Sequence, residues 1–322
     1  MEHRKGRGPY LVLAAALAIF LTSCGGPPDS GTAEEEQETV CIVDDLGREV
    51  TVPCQPQRTA ALIGSFAEVW TLAGGELAAT ADDAWGSFDL ELGEDVVNLG
   101  KTTEINLEKL LAVDPDFVLA SVNTPIDLKL MDVFESAGIP AAYFDVNDFG
   151  EYLDMLERCT AITGREDLYQ IHGTDVQQQV DAAIARGAQP GEGPAVLYLR
   201  ATAKSVKAKG SEDNVLGEML RDLGCRNIAD SDSVLLDSLS LESIVRMDPD
   251  LIFIIKQGDN LEAVDEMLRE QVYQNPAWSS LTAVREGMIY ELDPELYNLK
   301  PNDRWGIAYE GLCDILYGEE GA

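Results

Sequence analysis

Short apolar runs rich in β-branched and aromatic residues return at intervals along the chain: Thr59–Gly64, Phe117–Val122, Ala141–Val146, Ala195–Arg200, Leu251–Lys256 and Met288–Leu292. Each is nearly continuous, the pattern of a strand covered on both faces. Between them the pattern changes to that of helices, over Ser65–Ala73, Leu128–Ala137, Phe149–Ile162, Asn214–Leu223 and Leu261–Arg269. Strands alternating with helices predict βα units and mainly parallel sheets, an α/β fold. Ser65-Phe66-Ala67-Glu68 has capping-box spacing and marks a helix start directly after a strand. Ile42–Val52, centred on Asp45-Leu46-Gly47, reads as a hairpin.

One stretch breaks the alternation. Arg165–Gly187 is long, polar and poor in strong apolar positions, and Gln189-Pro190-Gly191-Glu192-Gly193-Pro194 then stops any helix. It reads as a surface helix of one domain or as a helix joining two lobes. The second reading divides the chain into a lobe at 40–164, a connector at 165–190 and a lobe at 191–322.

A repeat supports that division. Residues 106–121 and 240–255 each carry a capping residue (Asn106, Ser240), a Leu-Glu pair, a short apolar helix, Asp-Pro-Asp and a buried strand. Glu108 matches Glu242, and Asp114-Pro115-Asp116 matches Asp248-Pro249-Asp250. One copy falls on each side of the connector, which predicts two lobes of like architecture. A Glu in a first helical turn complements the helix dipole, so the matched glutamates alone do not prove a function.

The N-terminus adds a destination. Arg4, Lys5 and Arg7 precede an apolar run, Leu11–Leu21, too short to span a bilayer with ordinary flanks, and Leu21-Thr22-Ser23-Cys24 resembles a bacterial lipobox. The expectation is a signal peptide at 1–23, lipidation of Cys24, a polar acidic tether at 24–39 and a body on the outer face of the cytoplasmic membrane. A formal charge of −35 argues against nucleic acid, which needs a basic footprint. Export permits disulfides among the remaining cysteines. Cys41 with Cys54 across the hairpin base is one candidate pair, and Cys225 with Cys313 is another.

The repeat, the lipobox, the long connector and the ending around Lys300-Pro301-Asn302-Asp303-Arg304-Trp305 resemble the periplasmic-binding-protein family for ferric siderophores, haem and cobalamin. The resemblance covers the chain from about Val40 to Gly318. It implies two Rossmann-like lobes joined by a single long helix. It also implies a lipid-anchored receptor of an ABC importer, acting as a monomer with a permease dimer and its ATPase. One Glu per lobe tip meets the permease in that family, and the motif places those on Glu108 and Glu242.

Ligands of open α/β sheets bind beyond the C-terminal ends of the strands. Basic residues gather in those loops despite the acidic whole, which suggests an anionic ligand. Candidate contacts are Trp85, Lys101, Arg200, Lys204, Lys256, Tyr297, Lys300, Arg304 and Trp305. The chain has only His3 and His172, so a receptor for bare zinc or manganese is not expected. A metal arriving inside an organic chelate needs no such ligands, which favours a ferric siderophore, haem or a corrinoid, with Tyr297 as the candidate haem ligand. No intrinsic cofactor is expected. A Gly-x-Ser-x-Gly elbow, a Walker loop and a Gly-x-Gly-x-x-Gly turn are all missing from the sequence. A transport receptor is therefore favoured over an enzyme, with a sensory or adhesion lipoprotein as the remaining class.

Overall fold

The computed structural model describes residues 38–318 except Asp259. The expected signal peptide, Cys24 and the expected tether up to residue 37 lie outside the described residues. The chain opens with an antiparallel hairpin, β1 (Thr39–Val43) and β2 (Glu49–Pro53), so Thr39 is already part of a strand. The first sheet contains β3 (Thr59–Ala61), β4 (Leu77–Thr80), β5 (Val97–Asn98), β6 (Phe117–Ser121) and β7 (Ala141–Phe144). Its order is β5-β4-β3-β6-β7 and every pair is parallel.

The second sheet contains β8 (Ala195–Ala201), β9 (Val206–Lys209), β10 (Arg226–Asn227), β11 (Leu251–Lys256) and β12 (Ile289–Leu292). Strands β10-β8-β11-β12 run parallel, while β9 folds back antiparallel on β8. Phe117–Ser121 is buried throughout and Leu251–Lys256 nearly so, which explains why both read as continuous apolar runs.

Between the sheets the chain runs helically from Glu166 to Arg186, with a π-helical turn at Gln170–Thr174. Tyr152 donates its hydroxyl hydrogen to the His172 carbonyl at 2.8 Å within that turn. The C-terminal helix Trp305–Tyr317 lies along this connector, and Arg186 pairs with Asp314 at 2.5 Å.

Each sheet has a private core on one face: Ala60, Val118 and Ala120 in the first, Leu197, Leu199 and Ile254 in the second. The opposite faces share one cluster, running from Val52 and Phe144 through Tyr152 and Trp305 to Tyr198 and Phe253. The lobes are thus welded by apolar packing. One polar tie crosses the weld as well. Asn302, fully buried and left-handed at φ 54, donates its amide to the Ser65 carbonyl at 3.0 Å and to Glu68 at 2.5 Å.

The repeated segment builds the same unit twice. Helix Leu107–Ala112 is capped by the Asn106 side chain, which accepts Lys109 N–H at 3.0 Å. Helix Leu241–Met247 is capped by Ser240, which accepts Ser243 N–H at 3.2 Å. Both chains then pass through a left-handed aspartate, Asp114 at φ 52 and Asp248 at φ 40. The aspartate after the proline locks the strand entrance: Asp116 accepts Gln57 and Arg58 N–H, both at 2.9 Å, and Asp250 accepts Ala195 N–H at 2.7 Å.

Two local expectations are corrected. Helix Gly64–Leu72 is not capped by Ser65; its N-terminal Gly64 N–H is accepted by both oxygens of Asp83 at 2.9 Å, and Glu68 turns to Asn302 instead. A residue at Gly64 with a Cβ would meet Ala84 backbone at 2.6 Å, which is why this close approach needs glycine. The proposed disulfides are not formed. In the hairpin, Cys41 faces Thr51 whereas Cys54 N–H bonds the carbonyl of Glu38, three residues before Cys41 and so on the other face. Cys225 is held near the Tyr317 hydroxyl, while Cys313 approaches the Ala183 carbonyl at 3.4 Å on the connector side.

Candidate functional site: the cleft between the sheets

Strand alternation decides which side chains reach the space between the lobes. On β8, Leu197, Leu199 and Ala201 join the private core, so Tyr198 and Arg200 face the junction. Antiparallel register then sets Lys209 opposite Tyr198 and Lys207 opposite Arg200. Directly opposed residues share a face, so one side of this ribbon carries Arg200, Lys207 and Lys209 together.

A cavity of about 160 Å³ opens beside them. Its second-lobe wall includes Arg200, Asp213, Asn298 and Lys300; its first-lobe wall is Val146 and Asn147, just past β7. A larger cavity of about 600 Å³ lies between the first hairpin and helix Phe149–Thr163, with walls from one lobe alone.

Lys300 is half-buried, with its ammonium 5.9 Å from the centre of the Phe66 ring. Burial pulls its pKa below the ordinary lysine value, and Asp145 and Glu151 push the other way. Lys209 is also lowered, by burial and then by Arg200 and Lys207. Around Lys300 the first lobe offers an ordered polar shelf: Asn123 and Asn147 donate to Asp145 at 2.7 and 2.6 Å, and Asn147 N–H bonds Glu151 at 2.7 Å.

Arg200, Lys300 and the ring of Tyr297 are therefore the candidate contacts that the fold brings together at this cavity. Lys256 faces the other side of its sheet, with Ile252 and Ile254, and its ammonium is held by Asp265 at 2.7 Å and Glu291 at 2.8 Å. Arg304 pairs with Glu295 at 3.5 Å. Trp305 is fully buried against Phe149 and Tyr309. The Tyr297 ring lines the cavity, but its hydroxyl donates to the Ala308 carbonyl at 3.1 Å, and burial raises its pKa to about 12. The hydroxyl is thus directed onto the C-terminal helix. Trp85 is half-buried against the shared core, and Lys101 and Lys204 are exposed outside the cavity wall.

Sequence reasoning overlooked Lys209; the alternation of 198 and 200 with 207 and 209 around the Thr202–Ser205 turn was the available signal. Glu108 and Glu242 are both exposed in the first turns of their helices. Asn106 N–H bonds the Leu99 carbonyl at 2.8 Å, setting Glu108 near the end of β5. Among the described residues, no group of three or more His, Cys, Asp or Glu is placed to hold a metal ion, and no helix is long and apolar enough to cross a membrane.

Comparison with known proteins agrees with this layout. The chain is 25% identical over 332 residues to the uncharacterized ABC transporter substrate-binding lipoprotein YvrC of Bacillus subtilis, covering 98% of both chains. It is 23% identical to the Fe(3+)-citrate-binding protein YfmC of the same organism, over 88% of this chain and 90% of that one. The crystal structure of Staphylococcus aureus SirA complexed with staphyloferrin B matches with a TM-score of 0.65 at 20% identity, covering 87% of this chain and 97% of SirA, which shows a shared fold. The periplasmic binding protein family matches residues 60–296, and the chain belongs to that family, a solute-binding component of ABC transporters and not an enzyme.

Proposed function

We propose that this protein is a lipid-anchored receptor, tethered through Cys24 outside the cytoplasmic membrane, that captures a ferric siderophore-type chelate and delivers it to an ABC permease dimer. The observation that carries the reading is the pairing of Arg200 with Lys300 at a cavity whose other wall belongs to the opposite lobe. Two cations there favour an anionic ligand, and charge-assisted bonds supply both affinity and orientation. The iron-citrate relative supports the same ligand class. The lobes at 40–164 and 191–322 act as two rigid jaws on the connector at 165–190, because the shared core leaves little room for hinge motion. The scarcity of aromatic wall and the inward Tyr297 hydroxyl weigh against haem and corrinoid ligands.

Glu108 and Glu242 are assigned to permease docking. They are exposed, occupy matching positions of the repeated unit and present one negative charge per lobe to a two-fold partner. The test is an uptake assay beside a binding assay. Glu108→Lys with Glu242→Lys is expected to reduce ferric-chelate uptake at least tenfold while leaving chelate affinity within about twofold, since exposed substitutions rarely disturb the fold. Equal loss of uptake and binding would refute docking.

A further inference from the structure

The charges of the described chain are distributed unevenly. Ten Lys or Arg side chains are held in ion pairs with carboxylates. The whole chain carries 58 acidic residues against 23 basic ones, so what sets a group of unpaired cations apart is their gathering in one place. Among the described residues without an ion pair, Arg200, Lys204, Lys207, Lys209 and Lys300 gather in the β8–β9 ribbon, its turn or the adjoining cavity wall, whereas Lys101, Lys109, Lys129, Arg226 and Arg285 are scattered over the rest of the chain.

The register makes this an electrostatic conflict. Arg200 stands directly across from Lys207, and the next pair on that face brings Lys209 opposite Tyr198. Like charges directly opposed across strands are destabilising. Half-burial of Arg200, Lys209 and Lys300 reduces the screening that water would provide. The nearest acidic relief is meagre: Asp213 beside Lys209, and Asp145 and Glu151 beside Lys300. Arg200 and Lys300 stand in the cavity wall, with Lys207 and Lys209 on the same face of the ribbon beside it, so an anion entering the cavity meets cations that strand register has already brought together.

The geometry points to a ligand of defined chemistry: a small metal chelate that keeps at least two free carboxylates, one held by Arg200 with Lys207 and Lys209, the other by Lys300. This rests on the receptor function proposed above and narrows it. Arg200 supplies a planar fork suited to bidentate carboxylate recognition, and the lysines supply point charges. The cavity of about 160 Å³ is small beside the 300–1,000 Å³ of ordinary ligand pockets, which favours a compact hydroxycarboxylate chelate over a macrocycle. The first lobe contributes the amide and carboxylate shelf of Asn147, Asn123 and Asp145, suited to ligand hydroxyls instead of ligand charges.

The experiment uses the full chain with four probes: ferric citrate, a ferric trihydroxamate without free carboxylates, haemin and cyanocobalamin. Binding is followed by titration calorimetry and thermal shift at low and high salt. Ferric citrate is expected to bind best and to weaken as salt rises. Arg200→Gln and Lys300→Gln are each expected to weaken it at least tenfold, whereas exposed Lys129→Gln, remote on helix Pro125–Ala137, leaves it unchanged.

Lys207→Gln gives a second readout independent of ligand identity. It is expected to raise the melting temperature of the ligand-free protein while weakening ferric citrate severalfold, a sign opposite to that of a structural residue. Tighter binding of the trihydroxamate, haemin or cyanocobalamin than of ferric citrate would overturn the carboxylate assignment and leave the receptor reading standing. No shift with any probe would remove the receptor reading and the assignment together. A Lys207→Gln protein that melts lower would refute the electrostatic conflict itself.

Discussion

Strand β6 of the first lobe is entered through Asp114-Pro115-Asp116, and β11 of the second through Asp248-Pro249-Asp250; the two entrances are built alike. Each has a capped short helix, a left-handed aspartate, a buried proline and a carboxylate clamped on the neighbouring strand's backbone. At the other ends of the sheets the lobes diverge. The first lobe places Asp83, Asp127, Asp145 and Glu151 around its strand ends, with Asp83 and Asp127 spent on backbone N–H groups. The second places Arg200, Lys207 and Lys209 there without ion pairs among the described residues. Fold-making residues recur in both lobes because each sheet needs the same closure. Residues facing the cleft do not recur, because closing a sheet places no demand on them.

The junction between the lobes should give the largest effect. Asn302→Ala removes two bonds from buried partners and leaves a β-carbon residue at φ 54, so a loss of about 3 kcal/mol is expected in chemical denaturation. Asn302→Gly keeps the backbone conformation available and should lose about 1 kcal/mol less. If glycine and alanine cost the same, backbone strain plays no part.

The two entrances should follow. Asp116 accepts two backbone N–H groups and Asp250 one, so Asp116→Ala is expected to cost about 2 kcal/mol and Asp250→Ala about 1 kcal/mol. A reversed order would show that the equivalence is one of shape and not of energy.

The smallest effect is a pH slope. Burial raises Glu68, Asp127 and Glu218 to about 7. A folded pKa above the unfolded value means that the native state holds more protons between about pH 4 and 7, so these groups withdraw stability as pH rises through that window. Glu68→Gln keeps an oxygen for the Asn302 amide, and is expected to flatten part of the slope and to add about 1 kcal/mol at pH 8. An unchanged slope in thermal melts from pH 5 to pH 8 would dismiss Glu68 as a contributor.

Much of this layout is legible in the sequence, for reasons tied to local pattern. Six apolar runs predict six of the strands, five of them because doubly covered strands leave a signal in nearly every residue, while edge strand β12 is only partly buried. Strands β5 and β10 span two residues each and leave no such signal. Asn106 and Ser240 announce their caps because a cap acts within three residues. The Asp83 cap on Gly64 is invisible, since it depends on a carboxylate 19 residues away. Lys256 and Arg200 look alike in sequence, each at the C-terminal end of an apolar strand. Only sheet register shows that one meets Asp265 and Glu291 while the other faces the cleft. Trp305 packs inward because the returning C-terminal segment crosses to the first lobe, a long-range contact that no local motif encodes, and the same return of the chain gives the Tyr297 hydroxyl the Ala308 carbonyl.

The first hairpin has a mechanical meaning. Thr39 is paired with Pro53, and the chain leaves Pro53 directly toward β3, so both ends of the ladder's first rung lie on the path between the N-terminus and the body. Tension entering at residue 39 therefore pulls across that rung, with the inter-strand bonds lying along the load. The rungs part in sequence from Thr39↔Pro53 toward Val43↔Glu49, like a zip opened from its loose end. The turn at the far end is itself anchored, with Asp45 N–H on the Tyr143 carbonyl at 2.9 Å and Arg158 on Asp45 at 2.7 Å, so a load that opened every rung would reach the first sheet there. A strand loaded in shear would have to break all its bonds at once; under the proposed lipid tether, this ladder would instead yield one rung at a time.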